Sequence, residues 1–408
     1  MKKIAIICPA DYPVPAVKGG AIETLIEIFL KENEIYNDCE IIVYSYFDNK
    51  SYLESKNYKN TNFEFIKISD LIRKIDNIFI RAIKKIFKFN IPPLFLRKVI
   101  KRLKDTEIRK VIIEGNKDYV IPIKKQVKNS KIYLHIHSDL FVYNKNSNKD
   151  IVENCEKIIT VSKFIKNITL KHIEEVNNDK IVILENCIDK RFFDNNIVLK
   201  DNLFRKKYKI EKNDFVIMFS GRIIEQKGVK ELILAFKKYC INLNAKLLIV
   251  GNAGFGKGKK SNYDDEVLNL AKGLEDKIIF TGFIHNSKLL DIHDLADVSV
   301  IPSMWDEPAG LVVVEAMASG IPIITTGSGG IVEYVNNKCS IIVKRDENVV
   351  DNIGEAILKL YYDKNLRNEM SIESRKKSRE YMPNIYYKRF IEIIGSDGGE
   401  FHANKKFN

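Results

Sequence analysis

Short runs of β-branched and aliphatic residues alternate along the chain with longer stretches whose apolar positions recur every three or four residues, the pattern of strands separated by helices. Strands are predicted at residues 3–8, 40–47, 110–114, 132–137 and 157–161, and again at 215–220, 246–250, 278–281, 298–302 and 321–326. Helical spacing marks residues 21–34, 311–318, 348–362, 365–381 and 383–394. This alternation predicts an α/β fold with parallel sheets, in which ligands sit beyond the carboxyl ends of the strands. A chain of 408 residues exceeds what one core organises, so two domains are expected. The clearest boundary is the stretch 181–189, IVILENCID, which puts one domain at residues 1–187 and a second at 188–382. Residues 395–408 are a polar, glycine-containing tail expected to be disordered.

Composition narrows the class. An apolar share of 45% with 30% charged residues is that of a soluble globular protein. Met1-Lys2-Lys3 runs straight into a short strand, unlike a signal peptide, and no window approaches the roughly 18 apolar residues of a spanning helix. The six cysteines are scattered without paired spacing, which argues against a zinc site or a disulfide framework. A cytoplasmic protein is expected. The net charge of +13 is uneven, because residues 73–104 hold eleven basic residues against one acidic residue, Asp76. Within that segment Ile75, Ile78, Phe79, Ala82, Ile83, Ile86 and Phe87 recur near helical spacing, with Arg81, Lys84, Lys85 and Lys88 between them. Docking on an anionic membrane surface is the first reading, and a solvated helix face the second. Nucleic acid ranks last, because no aromatic stacking or groove-reading pattern accompanies the charge.

Candidate chemistry centres on residues 302–320, PSMWDEPAGLVVVEAMASG, where a strand, a loop and a helix follow one another. A helix starting near Gly310 directs unpaired N–H groups and its positive end at an anion. Glu307 and Glu315, eight residues apart, cannot bind a phosphate there and are suited to accept hydrogen bonds from neutral hydroxyls beside it. A phosphate flanked by hydroxyls describes a nucleotide sugar. A second strand, loop and helix at 215–228 carries Gly221, Arg222 and Lys227, where a lysine set against the helix dipole implies an anionic partner. Gly19-Gly20, before the first helix, would let the backbone approach a ligand closely. His135 and His137 read as pointing to opposite faces of their strand, so that only His137 reaches the ligand side. Residues 251–257, GNAGFGK, imitate a phosphate loop, but Gly258 stands where its Ser or Thr belongs.

Glu307, Pro308, Gly310, Leu311 and Glu315 resemble the Glu-x7-Glu signature of the retaining family-four glycosyltransferases, glycosyl transferases group 1, with Ala309 in place of the usual aromatic. PVPAVKGGAIE resembles their glycine loop, Arg222 and Lys227 match their pyrophosphate clamp, and Gly327, Gly329, Gly330 and Glu333 match a motif that often follows. The resemblance implies a GT-B fold, two Rossmann-like domains facing across a cleft, with the terminal helix 383–394 crossing back to the first domain. It implies transfer of a sugar with retained configuration from a nucleotide-diphosphate donor, expected to be UDP-linked, to a saccharide or lipid-linked acceptor in bacterial surface polysaccharide or glycoconjugate synthesis. His137, Arg222, Lys227 and Glu307 take the catalytic roles. Gly19, Gly20, Gly221, Phe283, Ile284, Ala309, Gly310, Leu311 and Glu315 take the donor, with the backbone at 283–284 serving the base. Ser162 and Lys163 resemble groups that approach the acceptor. No Asp-x-Asp occurs, so neither metal nor cofactor is expected. The rivals are a sugar-nucleotide epimerase of the same fold and a nucleic-acid or ATP-binding protein.

Overall fold

The computed structural model describes residues 2–9, 12–87, 91–142, 148–173, 177–194, 203–252 and 262–395. The chain divides into two compact units, Met1–Asn186 with Pro383–Asn408, and Cys187–Met382.

The first unit is built on a seven-stranded parallel sheet. Its strands are β1 (Lys2–Ile7), β2 (Cys39–Tyr46), β3 (Thr61–Ile66), β4 (Lys110–Glu114), β5 (Lys131–Ile136), β6 (Lys157–Thr160) and β7 (Ile181–Ile183), in the order β3-β2-β1-β4-β5-β6-β7. Ile4 to Ile7, Val111 to Ile113 and Ile132 to Leu134 are all at most 1% exposed, as befits central strands covered by helices on both faces. Strand order reverses between β1 and β4, so their carboxyl ends open a crevice of the kind that binds ligands in such sheets. The last helix, Pro383–Gly395, follows the second unit in sequence but packs on the first. Phe390 meets Phe29 edge to face at 4.7 Å, the Tyr387 hydroxyl donates to Asn33 Oδ1 at 2.8 Å, and Lys110 Nζ donates to the Ile394 carbonyl at 2.8 Å.

The second unit repeats the plan with six parallel strands: β8 (Phe215–Ser220), β9 (Ala245–Val250), β10 (Ile278–Gly282), β11 (Val298–Ile301), β12 (Ile323–Thr326) and β13 (Ser340–Val343), ordered β10-β9-β8-β11-β12-β13. Helices Val229–Tyr239 and Val349–Tyr362 cover one face and Leu311–Ala318 the other, each through apolar residues at three- and four-residue spacing. Its order reverses between β8 and β11. Both units are therefore Rossmann-like α/β layers.

At the boundary stretch, positive φ outside glycine occurs among the described residues only at Asn37, Asn129 and Lys209. The chain thus passes Asn186 and Cys187 without a left-handed residue, and Cys187 needs none of glycine's freedom there.

The basic segment forms two helices, Asp70–Phe87 and Leu94–Lys104. In the first, Leu71, Ile72, Ile75, Ile78, Phe79, Ala82 and Ile86 share an arc of roughly 120°, and all are exposed, from 48% at Ile72 to 70% at Ile86 among the large ones. Arg73, Lys74, Arg81, Lys84 and Lys85 occupy the opposite arc, also exposed. Asp76, at the edge of the apolar arc, is the helix's buried side chain; it accepts from Leu94 N at 2.6 Å and pairs with Arg97, tying the helix to the start of the next. Among the described residues no helix is long and apolar enough to cross a membrane. The phosphate-loop imitation lies outside the described residues from residue 253 onward, as does the tail from 396.

Candidate active site

In the second unit the loops leaving β8 and β11 diverge at the point of strand reversal. The β8 loop ends in a turn, Glu225–Lys227, and Gly228 caps the helix Val229–Tyr239. Gly228 sits at φ +71°, and a Cβ there would stand 1.9 Å from the Pro302 carbonyl oxygen. Only glycine lets the two loops touch. Met304 N also donates to the Gln226 carbonyl at 2.8 Å. This contact brings Lys227 Nζ to 2.6 Å from Glu307 Oε1, and Ser303 Oγ donates to the same oxygen. Glu307 is 6% exposed, so its charge is compensated in place by one cation and one hydroxyl.

A neighbouring loop braces the carboxylate's backbone. Gly330 N donates to the Glu307 carbonyl at 2.6 Å, and Gly329, at φ +54°, leaves no space for a Cβ against that oxygen. Thr326 and Ser328 hydroxyls both donate to the Ser303 carbonyl at 2.7 Å, while Arg345 Nη2 pairs with Asp306 Oδ1 at 2.8 Å. Ser303, Asp306, Thr326, Ser328 and Arg345 were not anticipated from the sequence. A serine four residues before an acid was the available signal; the rest depend on β12 and β13 pairing beside β11.

Gly310 caps the helix Leu311–Ala318. Leu311, Val312, Glu315 and Ser319 form its half-buried stripe, while Val313, Val314, Ala316, Met317 and Ala318 are buried. The Glu315 carboxyl makes no hydrogen bond or ion pair among the described residues. Its surroundings push its carboxyl up from 4.5 to about 7 by desolvation. An acid with neither cation nor donor, one turn inside a helix N-terminus, is poised to take hydroxyl donors. Arg222 is exposed, and it too has no partner among the described residues. Phe283 and Ile284 follow Gly282, at φ +71°, and their main-chain groups are unbonded among the described residues. Ala309 packs against the core through its methyl group.

In the first unit, Gly19 and Gly20 have φ of +78° and +100°, and a Cβ at Gly20 would meet Glu23 Oε2 at 2.1 Å. Gly20 opens the helix Ala21–Tyr36 beside the end of β1. His135 and His137 do not face opposite ways. Residues two apart return to the same face of a strand, and the two rings lie 4.1 Å apart, both against Glu114 at the end of β4. Glu114 Oε2 lies 3.0 Å from His135 Nδ1 and 2.8 Å from His137 Nε2. Burial opposes its ionisation, yet the two imidazoles hold its carboxyl down at about 2. Burial and the neighbouring His135 push His137 down to about 4, so it is neutral near pH 7. Glu114, His135 and His137 also form the one group of three among the described residues with ligand-type atoms within 4.8 Å of one another. Ser162 is fully buried and accepts from Ile165 N at 3.1 Å, so it caps the helix Lys163–Lys171 and does not face an acceptor.

Residues 200–377 match the protein family described as glycosyl transferases group 1. YtcC of Bacillus subtilis, named as a glycosyltransferase, is 28% identical over 92% of this chain and 87% of its own. The lipopolysaccharide 1,2-N-acetylglucosaminetransferase of Salmonella typhimurium is 26% identical over 82% of this chain and 83% of its own. Among solved structures, a glycosyltransferase from Rickettsia africae superposes with a TM-score of 0.74 at 18% identity, covering 96% of this chain and 97% of that one. HepE of Anabaena, solved with UDP and glucose, gives 0.73 at 17% identity over 97% and 100%. At such identities the structural matches speak for the fold alone.

Proposed function

We propose that this chain, whose residues 200–377 match the glycosyl transferases of group 1 and whose fold is GT-B, is a retaining transferase moving a sugar from a UDP-linked donor to a saccharide or lipid-linked acceptor of a bacterial surface glycan. The observation that carries the reading is the second unit's cluster: Lys227 on Glu307, the start of the 311–318 helix at Gly310 with no side-chain cap, and a Glu315 carboxyl unpartnered among the described residues one turn beyond it. A neighbour of the same fold was solved with UDP and glucose, which makes UDP the first nucleotide to test.

In this reading the diphosphate lies on the Gly310–Leu311 N–H groups, with Arg222 gripping two oxygens and Lys227 supplying a point charge. Lys227 then serves two anions, pairing with Glu307 while it meets the phosphate. Glu307 accepts donor-sugar hydroxyls, Glu315 the ribose hydroxyls, and the Phe283–Ile284 backbone the base. Negative charge developing on the leaving diphosphate is stabilised by cations already in place, which lowers the barrier without a metal. In the first unit, Gly19, Gly20 and His137 serve the donor sugar. Both glutamates are committed to hydroxyls, so neither acts as a glycosidase nucleophile. The test is turnover with a panel of nucleotide sugars: R222A, K227A and E307A each lose most activity while remaining folded, and EDTA leaves the rate unchanged. Full activity in all three variants, or EDTA inhibition reversed by manganese, removes the mechanism.

We further propose that the enzyme works at an anionic membrane surface through the helix Asp70–Phe87. An exposed apolar arc backed by five cations matches acyl chains beneath acidic headgroups, at about 1 kcal/mol per cation near the surface. Vesicles containing phosphatidylglycerol should bind the protein, less so as salt rises. Equal binding by a K84E/K85E variant refutes this contact.

A further inference from the structure

Glu114 plays no part in the reading above, yet it organises the polar cluster at the ends of β4 and β5. An ionised carboxylate only accepts hydrogen bonds, so each ring nitrogen facing it carries a hydrogen. His135 therefore holds its proton on Nδ1 and His137 on Nε2. The buried Nε2 of His135 has no hydrogen-bond partner among the described residues. For neutral His137 the same bond leaves Nδ1 as the lone-pair nitrogen. The distances are those of hydrogen bonds: a tetrahedral ion bonded at about 2.0–2.1 Å would spread its ligand atoms to roughly 3.3 Å.

We propose that Glu114 is a positioning residue for sugar transfer, fixing the ring orientation of His137 and its Nε2–H tautomer so that Nδ1 is offered as a hydrogen-bond acceptor to a donor-sugar hydroxyl. This rests on the reading that His137 serves the donor sugar. The backbone supports the arrangement: Glu114 pairs in register with His135, and Gly115 N donates to the His135 carbonyl at 2.8 Å, locking β4 to β5 where both side chains emerge. Arg or Lys in place of either histidine would leave an ion pair and no acceptor. A carboxylate shared by two imidazoles instead gives one of them a defined donor end and a defined acceptor end.

Glu114→Gln tests this, because the amide keeps one acceptor oxygen where the carboxylate offers two and lacks the negative charge that holds both ring N–H groups in place. The expected result is a melting temperature within a few degrees of wild type, unchanged UDP affinity, and kcat reduced on the order of ten- to a hundredfold. In an H137A background the same change should cost less than about twofold, since it acts through His137. Long-range ¹⁵N spectra of the full-length wild-type protein should show His137 protonated on Nε2. Additive losses in E114Q/H137A, full activity in E114Q, a His137 protonated on Nδ1, or a stoichiometric metal retained by wild type and lost in E114Q would each overturn the proposal. The spectra read the tautomer whether or not a donor is found, so a chain that turns over no nucleotide sugar fails the functional reading separately.

Discussion

Replacing Glu315 by Gln should stabilise the empty protein while weakening its ligand, and the size of the gain follows from where the carboxyl sits. In the unfolded chain it ionises near 4.5, in the folded chain near 7, because burial without a partner disfavours the charge. Between those values the folded state holds a proton that the unfolded state has lost, so this group's contribution falls as pH rises from about 4.5 to 7 and stays low above. At about 1.4 kcal/mol per pH unit the full penalty is ~3 kcal/mol at pH 8, and under about 1 kcal/mol at pH 5. Gln cannot ionise and is flat. Thermal melts of both proteins should therefore nearly coincide at pH 5 and separate at pH 8, with E315Q higher by roughly 6–12 °C for a unit of this size. Ribose hydroxyls donate best to an ionised acceptor, so nucleotide affinity of the wild type should tighten about tenfold from pH 6 to 8 while E315Q shows no such trend. An E315Q protein that melts at or below wild type at pH 8 refutes the reasoning, because the carboxyl would then have a partner that favours its charge.

Removing Lys227 strands a buried carboxylate, so K227A should lose about 1–3 kcal/mol in urea unfolding, and E307Q in the same background should restore most of it. G228A combines a left-handed backbone with a collision at Pro302 and should cost well over the ~1–3 kcal/mol of backbone strain alone, whereas G273A, at φ +79° with open space around it, pays only the strain. G329A likewise meets backbone, at the Glu307 carbonyl, and should cost stability as G228A does while also lowering nucleotide affinity, because the backbone displaced is the one that holds Glu307; equal affinity in the folded protein would separate that loop from the site.

Much of the architecture was legible as period. Central strands such as KVIIE and FVIMFS are largely continuous apolar runs, and the helices after them carry clear three- and four-residue spacing. β3, TNFEFI, and β13, SIIV, were missed because edge strands are short and half polar, and look like loop sequence until a neighbour pairs with them. Individual chemical groups at the site were legible by motif, but their mutual contacts were not. Lys227 and Glu307 are eighty residues apart and were read as serving separate parts of a ligand, whereas the empty site neutralises each with the other. Nothing in the sequence marks Glu114 beyond its place at the end of a strand, and the parallel register of β4 with β5 gives it two histidines. The misread faces of His135 and His137 came from counting one alternation where the spacing of two makes a full period.

Every role assigned above requires the second unit to hold a nucleoside diphosphate between its cations and its two glutamates. Calorimetric titration of UDP and UDP-sugars into wild type, R222A/K227A and E307A/E315Q measures this directly. Wild type should bind, the cation variant should lose affinity for UDP and UDP-sugars alike, and the acid variant should lose the extra affinity that ribose and sugar hydroxyls provide. Identical titrations for all three folded proteins would contradict it.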